Sequence, residues 1–192
     1  MTQIIRWLSS FSELWLRRME EAEGVEEKAV TGTWAIAPFM PGAEEGDAIS
    51  VFATENESDA ERIASALAMR APGIERYVFA SCSRQALEAA GIGLSQTMGL
   101  TNNPAIDALH YDMRIPDVDT ALIVAKLFQQ EVPVIAEKRA VEVKLEAEIR
   151  FNKFDFQALA ESKSNSAFRD KVFKYVKLKA IQIRGIPTPP PA

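Results

Sequence analysis

Apolar and polar side chains change their period several times along this chain, and each change predicts an element. In "IIRWLSSFSELWLRRMEE" the large apolar residues Ile4, Leu8, Phe11, Trp15 and Met19 recur at intervals of three or four. That spacing predicts one amphipathic N-terminal helix, closed by the acidic, glycine-containing connector "EAEGVEEKAVTG". "TWAIAPF" and "AISVFAT" read as strands on either side of the turn-rich "MPGAEEGD". In "ESDAERIASALAMRAPG", Ala60, Ile63, Ala64, Leu67 and Ala68 form a helical stripe. Ser58 and Glu61 have the spacing of a capping box, and Pro72-Gly73 stops the helix. "ERYVFAS" is a further strand, after which Ser83 caps a short helix that Gly91 ends. Strand, helix and strand in close succession suit a crossover unit packed on one sheet.

Beyond residue 91 the pattern loosens and then tightens again. Asn103 and Pro104 have the chemistry of a cap and first position of a short helix. "PDVDTALIVAKLFQQEVP" predicts a longer helix closed by Pro133. "AVEVKLEAEIRF", residues 140–151, alternates apolar and charged side chains, with Val141, Val143, Leu145, Ala147, Ile149 and Phe151 on one side. A period of two predicts a long half-buried strand whose wet face carries Glu142, Lys144, Glu146, Glu148 and Arg150. Downstream, "FDFQALAESKSNSAFRDKVFKYVK" is partly helical in pattern, "LKAIQIR" is strand-like, and "GIPTPPPA" is an extended tail.

Together these segments predict an α+β fold: a mixed or antiparallel sheet with packed helices and a long alternating strand near 140–151. Four zones are expected. They are an amphipathic helix and acidic connector over 1–28, a strand–helix–strand core over 29–112, a helix, long strand and basic segment over 113–186, and a proline-rich tail over 187–192.

Charge adds an asymmetry that hydropathy does not show. The net charge of −5 over 192 residues is unevenly placed. Residues 1–60 carry 4 basic and 12 acidic side chains, whereas residues 121–192 carry 13 basic and 8 acidic. Such segregation marks interaction surfaces. Cys82 is the only cysteine, so an intramolecular disulfide is excluded, and His110 is the only histidine, which excludes a zinc site built from several Cys and His. The chain has no apolar run of the roughly 18 residues a membrane-spanning helix needs. Its N-terminal apolar positions are interrupted by Arg6, Ser9, Ser10, Ser12 and Glu13, unlike a signal peptide. No membrane span and a cytoplasmic location are expected.

Several patterns carry possible chemistry. Pro116-Asp117 followed by Glu142-Val143-Lys144 has the outline of a metal nuclease, in which two carboxylates hold a divalent cation and a lysine faces phosphate. Against it, an aspartate after proline and before "VDTALIVAKLF" is better explained as a helix cap. Gly91 and Gly93 mimic a dinucleotide loop but follow a helix and lack the third glycine. No glycine run precedes a Lys-Ser/Thr pair, so a phosphate loop is not supported. Cys82 has the character of a small packed residue. His110, near Asp107 and Asp112, has the composition of a general base, although such neighbours are usually surface polar groups.

The basic segment 162–186 is the best binding signal in the chain. Lys163, Arg169, Lys171, Lys174, Lys177, Lys179 and Arg184 stand there against the single acid Asp170, with Phe168, Phe173 and Tyr175 interleaved. Arg169, Lys171, Lys174, Lys177 and Lys179 are the candidate contacts for a polyanion or an acidic partner. Trp7, Phe11 and Trp15 are the candidate partner contacts of the N-terminal helix. The expected function is a non-enzymatic interaction or assembly protein, a subunit of a larger complex or a homo-oligomer, with no cofactor and no metal. The alternatives are a nucleic-acid-binding protein using 162–186, and a metal-dependent nuclease using Asp117, Glu142 and Lys144.

Overall fold

The first strand is the middle of the molecule. β1 (Gln3–Trp7) lies between β2 (Ala48–Thr54) and β3 (Arg76–Ser83), antiparallel to both. The sheet continues outward through β5 (His110–Arg114) to β4 (Leu94–Gln96) on one side, and to β6 (Val134–Glu137) on the other. The order is therefore β4-β5-β2-β1-β3-β6, with every neighbouring pair antiparallel. This computed structural model describes residues 2–22, 32–42, 46–70, 74–99, 101 and 103–150.

Helices cover both faces of the sheet. On the first face lie α1 (Ser12–Glu21), α2 (Gly32–Ile36), α4 (Arg84–Ala89) and α6 (Val118–Gln129). Their buried side chains, with Phe39 of a 3-10 turn at Ala37–Phe39, meet Ile4, Val51, Val78, Ala80, Cys82 and Met113 of the sheet. On the second face lie α3 (Glu57–Arg70), α5 (Pro104–Asp107) and α7 (Lys138–Arg150). Ile5, Phe52, Tyr77, Phe79 and Ala136 form the core there with Ile63, Leu67, Ile106 and Val141. Successive strand residues point to opposite faces, so a strand covered on both sides reads as a continuous apolar run.

The α+β architecture with an antiparallel sheet is present, as is the crossover unit: β2 and β3 run parallel with β1 between them, joined by α3. Three elements differ from the sequence pattern. Residues 3–7 are a strand, and the N-terminal helix begins only at Ser12. Ile4 and Ile5 fill opposite cores, and partners on both sides outweigh the weak helical pattern at this end. Ser9 carries a φ of 49° that turns the chain out of the strand. "TWAIAPF" is helical, α2 followed by the 3-10 turn, because Trp34 and Phe39 dock on Trp15.

The long strand near 140–151 is corrected most clearly. β6 stops at Glu137 and α7 runs from Lys138 to Arg150. A strict alternation also contains the spacing i, i+4, and Val141, Leu145 and Ile149 are four apart. Glu, Lys, Ala, Leu and Arg dominate this segment and favour the helix. Val141 is buried against the α3 side, while Val143, which the strand pattern would bury, is 60% exposed. The capping-box positions also shift. α3 starts at Glu57, and the Asp59 carboxylate rather than Ser58 takes up a backbone donor, the N–H of Glu55 at 3.2 Å.

Candidate functional site

The β1–β2 ladder ends at the pair Ile5–Phe52, although β1 continues along β3 to Trp7 and β2 continues along β5 to Ala48. The two central strands therefore part company. Arg6 fills the split: its Nε donates to the Pro38 carbonyl at 2.9 Å and its Nη1 to the Ser50 carbonyl at 2.8 Å. A rigid guanidinium fork bridges two carbonyls better than a single ammonium. Above this point, on the second face, opens a crevice of about 520 Å³. That volume suits a small-molecule ligand.

Two cross-strand rows form its floor. Asp112 of β5 stands opposite Ser50 of β2, with Ser95 of β4 on its other side. His110 stands opposite Phe52, which is opposite Ile5. Trp7, two residues beyond Ile5, shares this face. In this layer α3 packs on β2 and β6 and α7 on β6, and the crevice over the β2–β5 half is lined by Leu67 of α3 and by the loop residues Thr97, Met98 and Thr101.

That loop is tied down from within. The Asp107 carboxylate accepts the Thr101 N–H at 2.9 Å and its hydroxyl at 2.6 Å. Gly99 passes so close that a Cβ would stand 2.5 Å from Asp107 Oδ1. Asn103 caps α5 by accepting the Ala105 N–H at 3.1 Å. The first polar residue of the loop, Thr97, meets His110 Nδ1 through its hydroxyl at 2.8 Å, and the imidazole stands edge-on to Phe52. Asp112 is half-buried, and its carboxylate makes no hydrogen bond or ion pair to another described residue. The crevice thus combines an acceptor-only carboxylate, a guanidinium, hydroxyls and an imidazole above an aromatic floor.

The residues singled out from sequence are dispersed. Asp117 is the N-cap of α6, accepting the Thr120 N–H at 2.7 Å and its hydroxyl at 2.6 Å. The Thr120 hydroxyl and then its N–H hold the Asp117 carboxyl below its ordinary range. Glu142 and Lys144 lie on α7, where Lys144 Nζ faces Glu61 of α3 at 3.7 Å. α6 packs on the first face and α7 on the second, so the sheet separates Asp117 from the other two. Among the described residues no group of three His, Cys, Asp or Glu side chains is placed to hold a metal ion.

Trp7 and Trp15, expected on one helix face, sit on opposite sides of the sheet. Trp15 is fully buried against Trp34 and Phe39, Phe11 is partly buried beside the same core, and Trp7 packs against Tyr77. Trp15 is therefore packed inside the chain's own core. Arg169, Lys171, Lys174, Lys177 and Lys179 lie outside the described residues. Cys82 is buried, and burial, with Glu131 adding to it, pushes its thiol up to about 12. It is held protonated and inert.

Arg6, Ser50, Phe52 and Asp112 were not singled out together by the pattern. They lie far apart in the chain and meet only through strand pairing. The one local signal was the spacing of His110 and Asp112, two residues apart and hence on one face of a strand. No helix of the described residues is long and apolar enough to cross a membrane. A scan against protein-family models, a search of curated proteins and a search of solved structures each return no match to this chain.

Proposed function

We propose that this is a non-enzymatic interaction or assembly protein that works by self-association or as a subunit of a larger complex. The observation that carries the reading is the β6 edge of the sheet. Among the described residues β6 pairs only with β3, which leaves its outer side unpaired. Val132, just before it, is 79% exposed, and Ile135 within it is 42% exposed. An unpaired edge with exposed apolar side chains is a template for another strand. The outer side of α6 supports the same reading, because Val118, Leu122 and Ile123 are exposed where a solvated helix carries charge. The acidic first third and basic last third of the chain supply complementary fields for such contacts.

The test is the solution mass against protein concentration and salt, for the wild type and for Ile135→Lys. A charge at the edge opposes strand addition, so the variant shifts the equilibrium to monomer while keeping its melting transition. A wild type that stays monomeric at high concentration and low salt, with no co-purifying partner, refutes the reading. The nucleic-acid alternative separates cleanly. Affinity for single strands that falls steeply with salt and flattens on changing Lys171, Lys174 and Lys177 to glutamine would move the function to 162–186.

A further inference from the structure

We infer that the partner at the β6 edge is a second copy of this chain, joined antiparallel about a two-fold axis between the two Ile135 residues, so that both sheets run on as one. The inference rests on the assembly reading and names its partner and register.

Backbone direction makes the first selection. β3 lies between β1 and β6, and the Val78 carbonyl is taken on the β1 side by the Leu8 N–H at 3.0 Å. Val78 stands opposite Ile135 of β6. Bonded and open pairs alternate along an antiparallel ladder. The Lys138 N–H donates to the Glu75 carbonyl at 2.9 Å, so the bonded positions of this ladder are Lys138, Ala136 and Val134. The N–H and C=O of Ile135 therefore point out to the free edge, and the Glu137 N–H points the same way. Val132 turns its carbonyl in, to the Ser81 hydroxyl at 3.0 Å, which carries the alternation back to Pro133 and leaves the Pro133 carbonyl facing out.

Register and charge select the partner. With Ile135 opposite the partner's Ile135, each donates to and accepts from the other, and each Glu137 N–H meets the partner's Pro133 carbonyl. Pro133 has no N–H to return and none is needed, because Glu137 precedes α7, where a carbonyl accepts the first bond of the helix. The same register sets Glu131 opposite the partner's Arg139, acid to base on both sides of the axis. A parallel copy would set each of these charges against its like. An antiparallel slip one way sets Glu131 against the partner's Glu137, and a slip the other way turns the Ile135 N–H to the engaged Glu137 carbonyl. Charges that discourage a foreign strand at this edge thus match those of the chain itself. Ile135 projects to the first face beside Val78, whereas α3 and α7, which pack on β6, lie on the second. Across the axis the exposed Ile135 side chains become neighbours and cover one another.

Sedimentation of the full-length chain over a range of concentrations tests this. The mass should rise to that of a dimer and stop, with a dissociation constant on the order of 10 μM for a small interface. Glu131→Arg alone and Arg139→Glu alone should each weaken the dimer about tenfold, as ion pairs become repulsions. An equimolar mixture of these two variants should regain wild-type association, because each base again faces an acid across the axis. Under mild oxidation Ile135→Cys should link to its own copy, with Cα atoms about 5.5 Å apart. Glu137→Cys should not, since the two positions stand roughly 13 Å apart along the strands. Cys82 is buried and stays out of the reaction. Three results overturn the inference while leaving the assembly reading in place, provided Ile135→Lys still abolishes association: growth beyond the dimer, no recovery on mixing, or linkage at Glu137→Cys as ready as at Ile135→Cys. A monomeric wild type whose Ile135 amide resists hydrogen exchange also overturns it, because the chain's own residues then fill the edge. A monomeric wild type with a freely exchanging Ile135 amide and no co-purifying protein overturns both.

Discussion

Replacing Trp15 by alanine separates a core residue from a partner contact. Trp15 is fully buried, edge-on to Trp34 at 5.3 Å between ring centroids and to Phe39 at 5.7 Å. A buried tryptophan removes roughly 200 Å² from water, which at about 25 cal/mol per Å² is roughly 5 kcal/mol. Its indole N–H has no hydrogen-bond partner among the described residues. Losing that donor returns about 1–2 kcal/mol, while the cavity left behind costs a similar amount. Trp15→Ala is therefore expected to destabilise the fold by about 3–5 kcal/mol. Against a total stability of roughly 5–15 kcal/mol that is a large share. Trp15→Phe keeps an aromatic ring beside Trp34 and Phe39 and removes the unpaired N–H, so it should cost less than about 2 kcal/mol. Urea unfolding followed by far-ultraviolet circular dichroism measures both. The midpoint should fall strongly for alanine and modestly for phenylalanine, with an unchanged slope. If Trp15→Ala keeps the wild-type midpoint and loses only association, the packing argument fails and the residue is a partner contact after all.

Three further expectations follow from particular contacts. Arg6→Met leaves the carbonyls of Pro38 and Ser50 without their guanidinium donors, which should cost about 1–3 kcal/mol in chemical unfolding; Arg6→Lys should recover less than half. Gly99→Ala forces a Cβ to within 2.5 Å of Asp107 Oδ1 and 3.0 Å of its Cα, so about 1–3 kcal/mol of stability should go, together with the native amide shifts of Thr101; an unperturbed Thr101 would refute it. Asp117→Ala should lower the melting temperature at neutral pH by removing the α6 cap. Because the folded carboxyl is held below its ordinary range, its contribution is present above the unfolded value of about 3.9 and is lost as pH falls through the folded one. Melting curves of wild type and variant should therefore converge only on the acid side; a gap of constant size down to the lowest pH contradicts this.

Local chemistry in the chain determined several of the elements. The stripe of α3, the strand "AISVFAT", the caps of Ser83, Asn103 and Asp117, and the turn at Gly91 all rest on neighbours a few residues away. Those interactions exist wherever the segment goes, so they can be read without a partner. Asp117 shows the consequence for function: its capping role was legible beside Pro116, and it is that role which places it at the end of α6.

Only the tertiary structure decided the rest. "IIRW" carries apolar residues that suit a helix face or a doubly covered strand, and two flanking strands select the strand. "VEVKLEAEI" satisfies a period of two and a spacing of four at once, and packing on α3 selects the helix. The crevice was invisible for the same reason. Arg6, Ser50 and Asp112 are placed together by register between three strands distant in sequence, and register is a property of the sheet. Short-range spacing determines what a segment is able to become; burial against the remainder of the chain determines which of those forms it takes, because only there is the larger share of the free energy released.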